Sequence, residues 1–118
     1  MMTGIQGSKD CGNSPKNRFV QDVAIALETG DATPEKFADD VIWERATETS
    51  LEGKKSLLKS LAAQDTPETV IIEHAISHGK VGAASGQTTI NGAARRFCHV
   101  IEFASVKGDR VAVIKSYA

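Results

Sequence analysis

The dipeptide Asn91-Gly92, set between two stretches of alternating character, constrains this chain more than any other feature. Asn followed by Gly is the strongest short signal for a tight hairpin turn, because both central positions need a positive φ. Once these residues are fixed as the turn, the pairing of the flanking strands follows by counting. Ile90 pairs with Ala93, Gly86 with Phe97, Ala84 with His99 and Gly82 with Ile101. A second tight turn at Lys107-Gly108, counted the same way, sets Ser116 opposite His99, Ile114 opposite Ile101 and Ala118 opposite Phe97. Directly opposed residues share a sheet face. One face then carries Phe97, His99, Ile101, Phe103, Ile114 and Ser116 beside a lane of Gly82, Ala84 and Gly86. The other face carries Arg96, Cys98, Val100 and Glu102 opposite Gln87, Ser85, Ala83 and Val81.

The same period of two begins after Thr66-Pro67, where Val70, Ile72, His74, Ile76 and His78 share one side of a strand that Gly79 ends. Val81 to Ile90, Ala93 to Ser105 and Arg110 to Tyr117 read as three further strands. Earlier in the chain the period is helical. Ser14-Pro15 is a helix start, with Phe19, Val20, Val23, Ala24, Ala26 and Leu27 on one face and Gly30 as the stop. Thr33-Pro34 opens a short second helix, and Val41 to Ala46 is a first strand with Val41, Trp43 and Arg45 on one side. A third helix starts at about Gly53, burying Leu57, Leu58, Leu61 and Ala62 and turning Lys54, Lys55 and Lys59 to solvent. The expectation is a flexible tail over residues 1–13, followed by one α+β domain over 14–118.

Composition agrees with a single domain: 118 residues with 41% hydrophobic side chains suffice for one buried core. A formal charge of −1, from 14 basic and 15 acidic side chains, offers no general attraction for nucleic acid or an anionic membrane. The first ten residues lack the apolar stretch of a signal peptide, so a cytoplasmic location is expected. The cysteines Cys11 and Cys98 have neither a disulfide framework's number nor metal-ligand spacing, and Cys11 is expected to be exposed in the leader. No cofactor motif is present: phosphate-cradling glycine loops and serine-elbow sequences are absent.

Two readings fit the lane of small residues beside His99. In the first, the space they leave is a mostly apolar cleft with a few polar groups, the composition of a small-molecule site. In the second, Gly82, Ala84 and Gly86 let a helix approach the sheet, and His99 is a satisfied core histidine. The remaining candidates are weaker. His74 and His78 lie about 13 Å apart along a strand, too far to share one metal, and the face of His74 depends on the Gly79 turn. Cys98 lies on the face opposite His99, which argues against a Cys–His nucleophile. Arg95-Arg96 is too short to form a nucleic-acid patch.

The element order and two stretches resemble the nuclear transport factor 2-like superfamily, most of all its SnoaL-like polyketide cyclase and ketosteroid isomerase branch. The first stretch runs from Gly30-Asp31 through Phe37-Ala38-Asp39-Asp40-Val41-Ile42-Trp43. The second is Phe97-Cys98-His99-Val100-Ile101-Glu102-Phe103, then Lys107-Gly108-Asp109-Arg110-Val111 and Ser116-Tyr117. The resemblance implies a cone-shaped α+β barrel, three N-terminal helices packed in a strongly curved antiparallel or mixed sheet around a cavity. It also implies homodimers formed through the sheet.

Carried over residue by residue, the resemblance removes the isomerase's usual chemistry. The general-base aspartate falls at Arg45, which stays protonated and accepts no proton. The oxyanion tyrosine falls at about Val23, which has no donor, and the second oxyanion donor falls at His99. Imidazole suits proton transfer near neutrality, so His99 is the candidate acid/base, as SnoaL-like cyclases would imply. Trp43, Arg45, Ala84, Phe97, Ile101, Ile114 and Ser116 are the candidate ligand contacts, with Arg45 or Ser116 orienting the ligand. The expected function is binding of a small apolar or polyketide-like molecule, with isomerase- or cyclase-like proton transfer. The alternatives are a non-catalytic ligand-binding or dimerisation module and an adaptor acting through the sheet.

Overall fold

The computed structural model describes residues 3–9 and 14–117. Its first helix, α1 (Pro15–Thr29), begins where the sequence signals it. The Ser14 side chain accepts the backbone N–H of Asn17 at 3.2 Å, Pro15 occupies the first turn, and Gly30 closes the helix at φ 82°. Glycine is required there twice over, since a Cβ would also collide with the backbone carbonyl of Leu61 at the end of the other helix. That other helix, α2 (Lys54–Ala62), buries Leu57 and Leu61, while Leu58 is half-buried and Ala62 exposed. Between them, Thr33-Pro34 yields a single 3-10 turn, Pro34–Lys36. The expected three helices are therefore two, because Phe37 already enters a strand and leaves no room for a further turn.

Among the described residues, seven strands form one mixed sheet. They are β1 (Gly4–Gln6), β2 (Phe37–Arg45), β3 (Glu48–Glu52), β4 (Thr69–His78), β5 (Val81–Ile90), β6 (Ala93–Phe103) and β7 (Val111–Tyr117). Their order across the sheet is β1-β4-β5-β6-β7-β2-β3. The pairs β1–β4 and β2–β7 are parallel and the other pairs antiparallel. Two strands depart from expectation. Gly4–Gln6, within the expected tail, pairs with the otherwise open edge of β4, and Thr3 Oγ1 anchors it by donating to Pro67 O at 2.7 Å. β3 is so polar (Glu48-Thr49-Ser50-Leu51-Glu52) that no alternation marks it, yet it pairs with β2 as the opposite edge. Cys11 and Ala118, and with them the exposed leader cysteine and the Ala118–Phe97 pair, lie outside the described residues.

The Asn91-Gly92 hairpin forms as counted. Asn91 (φ 51°) and Gly92 (φ 79°) make the turn, and Ile90–Ala93, Gly86–Phe97, Ala84–His99 and Gly82–Ile101 are all paired. The β6–β7 ladder likewise sets His99 opposite Ser116 and Ile101 opposite Ile114. It does so through a bulge at Glu102/Phe103, with Phe103 paired to Val111. A bulge in β4 has the opposite effect on expectation. Ile72 pairs with Gly86 but His74 with Ser85, so Glu73 is an extra residue and the faces exchange. Val70 and Ile72 point inward before it and Ala75 after it, while His74, Ile76 and His78 are exposed. A single alternation through that strand is thus incorrect.

The core lies on one face of the sheet. Val20, Val23, Ala24 and Leu27 of α1 meet Val70, Ile72, Ala75, Ala84, Ile101 and Ile114 from the strands, and Leu57 and Leu61 of α2 complete the cluster. α1 packs on β4 and β5, and α2 on β2 and β3. Among the described residues, no helix is long and apolar enough to cross a membrane.

Candidate functional site

Glu28 sits one turn beyond Ala24 and two beyond Val20, on the apolar stripe of α1, and is only 6% exposed. A carboxylate is costly to bury unless hydrogen bonds and charge compensate it. Three side chains do so. Thr88 of β5 donates its hydroxyl to Oε1 at 2.8 Å, Arg95 of β6 donates Nη2 to the same oxygen at 3.1 Å, and His99 Nε2 lies 2.7 Å from Oε2. Burial pushes the Glu28 carboxyl up, but the hydrogen bond and charge of His99, with help from Thr88 and Arg95, hold it below the ordinary glutamate value.

His99, 4% exposed, continues the chain of contacts. Its Nδ1 lies 2.6 Å from Ser116 Oγ, and its ring stacks on Phe97 with centroids 5.2 Å apart. Ser116 Oγ in turn accepts the indole N–H of Trp43 at 2.8 Å. The groups at the two ends assign the protons between them. Indole is a donor only and an ionised carboxylate an acceptor only. A neutral His99 ring therefore carries its proton on Nε2, donated to Glu28, and accepts the Ser116 hydroxyl at Nδ1. Four elements hold this line: α1 supplies Glu28, β6 His99, β7 Ser116 and β2 Trp43.

The whole line borders a cavity of about 300 Å³, at the small end of the range for ligand sites. Of the expected contacts, Trp43, Arg45, Phe97, His99 and Ser116 line it. Ala84, Ile101 and Ile114 do not; each is 1% exposed or less and packed in the core. The lane of small residues is likewise filled. A Cβ on Gly82 would stand 2.5 Å from Val20 Cγ2, and one on Gly86 would collide with the Ile71 carbonyl and the Phe97 ring. Glycine there permits close packing, and the cavity opens further along, towards Arg45 and Arg95.

Arg45 spans the cavity wall and rim. It stacks over Trp43, pairs with Glu48 at 3.0 Å and donates Nη2 to Thr49 O at 2.6 Å. Its Nε is a buried donor with no hydrogen-bond partner among the described residues. Cys98 lies on the outer face opposite Ser85 and Tyr117, away from His99. Among the described residues no three His, Cys, Asp or Glu side chains gather as metal ligands. Glu28, Thr88 and Arg95 were not among the sequence candidates. Glu28 carried a signal nonetheless, as a carboxylate at the next repeat of Val20 and Ala24 on a helix otherwise apolar on that face.

No protein-family model matches the chain, and no curated protein matches it in sequence. Solved structures do match it in fold. A nuclear transport factor 2-like protein of unknown function from Burkholderia xenovorans superposes with a TM-score of 0.71 at 18% identity, covering 86% of this chain and 81% of its own. A ketosteroid isomerase-like protein from Kribbella flavida gives 0.71 at 15% identity over 86% and 75%. A SnoaL-like polyketide cyclase from Mesorhizobium loti gives 0.61 at 21% identity over 86% and 97%. The chain has the nuclear transport factor 2-like fold.

Proposed function

We propose that the cavity binds a small apolar or polyketide-like molecule and that the chain moves a proton on it, as an isomerase or cyclase does. The observation that carries this reading is the hydrogen-bonded line Glu28–His99–Ser116, all three members of which border the cavity. His99 has both ring nitrogens engaged, so the Ser116 hydroxyl is the group that exchanges a proton with the ligand, and His99 replenishes it. Arg45, in the cavity lining, supplies a cation for an enolate or carboxylate oxygen. The structural neighbours include chains named for isomerase and cyclase chemistry, which supports the class of reaction without supplying the residues.

The test is exchange of acidic C–H protons of a small cyclic 1,3-diketone in deuterated water, followed by NMR. Wild type should accelerate exchange, and His99→Gln or Ser116→Ala should lose that acceleration while still binding the diketone. Binding by wild type with no acceleration would make the chain a non-catalytic binding module.

A second reading concerns assembly, and we propose that two copies associate through the outer sheet face, with a cytoplasmic location retained from the sequence. Ile76 (57% exposed), Val81 (47%) and Tyr117 (52%) share that face with Ala83 and Val100. The ion pairs Arg96–Glu73 and Lys115–Glu102 lie beside them. Adjacent apolar side chains rimmed by charge are what an isologous interface presents.

A further inference from the structure

The contacts of Ser116 and His99 are also those of an activated nucleophile. A serine hydroxyl 2.6 Å from one imidazole nitrogen, with the other nitrogen 2.7 Å from a buried carboxylate, has the geometry in which a ring takes the hydroxyl proton while the carboxylate holds the ring. Here the ring is used in the less familiar sense, Nδ1 to the serine and Nε2 to Glu28, and either nitrogen can act as the base. Trp43 occupies one lone pair of Ser116 Oγ and the O–H points to His99, which leaves the second lone pair free to attack. The parallel β2–β7 register pairs Arg45 with Ser116, so a cation stands beside the nucleophile.

We propose that Ser116 is an acyl-accepting nucleophile and that the cavity takes a small carboxylic ester as its substrate. This rests on the reading above that the cavity holds a small molecule, but it assigns a different reaction. Ser116 Oγ bonds to the ester carbonyl carbon as its proton passes to His99 Nδ1, and the carbonyl oxygen takes up the negative charge facing Arg45. The tetrahedral intermediate collapses by breaking the bond to the alcohol oxygen, which leaves with the proton from Nδ1. Water then attacks the acyl-serine and gives a proton to Nδ1. Cleavage of the acyl–Oγ bond returns that proton to Ser116 and releases the carboxylic acid. Glu28 touches no substrate atom. It is a positioning residue that balances the imidazolium in both steps.

The experiment uses p-nitrophenyl acetate with the full chain. Wild type should release a burst of nitrophenolate approaching one equivalent and carry one acetyl group, which peptide mapping places on Ser116. Ser116→Ala should lose both, and Ser116→Cys should restore the burst. His99→Gln should slow acylation by about 10²-fold or more. Glu28→Gln should slow it without changing binding of 4-nitroacetanilide, an inert amide of the same shape, read as quenching of Trp43, the sole tryptophan. Quenching in wild type with no adduct, or with an adduct that survives in Ser116→Ala, overturns the nucleophile and leaves the binding cavity standing. Absence of both quenching and adduct overturns the two together.

Discussion

Glu28 occupies a position that the helical repeat assigns to an apolar side chain, and its carboxylate persists there because Thr88, Arg95 and His99 each meet one of its oxygens. A carboxyl whose folded-state pKa is depressed contributes stability that is present above the unfolded value, about 4.3 for glutamate, and is lost as pH falls through the folded value. Wild type should therefore be more stable than Glu28→Gln at pH 7, and the gap should narrow as the pH is lowered below the ordinary glutamate range. Urea midpoints of both proteins between neutral and acid pH measure it, and a gap that stays constant would show that the carboxylate charge contributes nothing. At this scale the sequence was legible where counting could reach. His99 and Ser116 were set together by counting from the turn at Lys107-Gly108. Glu28 comes from a distant helix, and no ladder connects it to them.

The elements show where counting fails. β4 changes face at Glu73, and nothing in Ile72-Glu73-His74 distinguishes a bulge from continued alternation, so His74 and Ile76, expected on the side of Val70 and Ile72, lie on the other. In β7, the step from Phe103–Val111 to Glu102–Val113 makes Ala112 the extra residue, and that shift restores the register a tight turn at Lys107-Gly108 would have given. The agreement at Ser116 thus depends on a bulge the sequence did not announce. Of the two readings of the lane of small residues, helix packing describes Gly82, which faces Val20 of α1, whereas Gly86 admits the Ile71 carbonyl of β4 and the Phe97 ring of β6. Gly86→Ala should accordingly destabilise the fold more than Gly82→Ala. The added methyl at residue 86 meets backbone carbonyl and an aromatic ring, whereas at residue 82 the methyl of Val20 can give way. Overpacking of this kind costs about 1–3 kcal/mol. Chemical denaturation of both variants measures it, and equal midpoints would contradict this account of the lane.

At the scale of the whole molecule the two faces of the sheet are unlike. The inner face is sealed by α1 and α2, while the outer face leaves Ile76, Val81 and Tyr117 exposed among charged pairs. If two copies meet there, Ile76→Glu should shift the chain from dimer to monomer in sedimentation equilibrium without disturbing the cavity on the inner face. A wild-type monomer at high concentration would remove the interface. The overall architecture was legible from the change of period between the two halves of the sequence. The edge strands β1 and β3 were not, because each is short, exposed and specified by its neighbour rather than by its own pattern.

β7 lies between β6 and β2, and the line of side chains it completes joins residues far apart in the chain: 73 positions between Trp43 and Ser116, 71 between Glu28 and His99. Contacts of such separation carry the largest loop-closure entropy and form slowly. Time is therefore built into the site. A folding chain that has made its helices and the β5–β6 hairpin still lacks both walls of the cavity. The line from Trp43 to Glu28 closes only when β7 has been inserted beside β2, so a half-folded form of the molecule lacks the arrangement that the proposed chemistry requires.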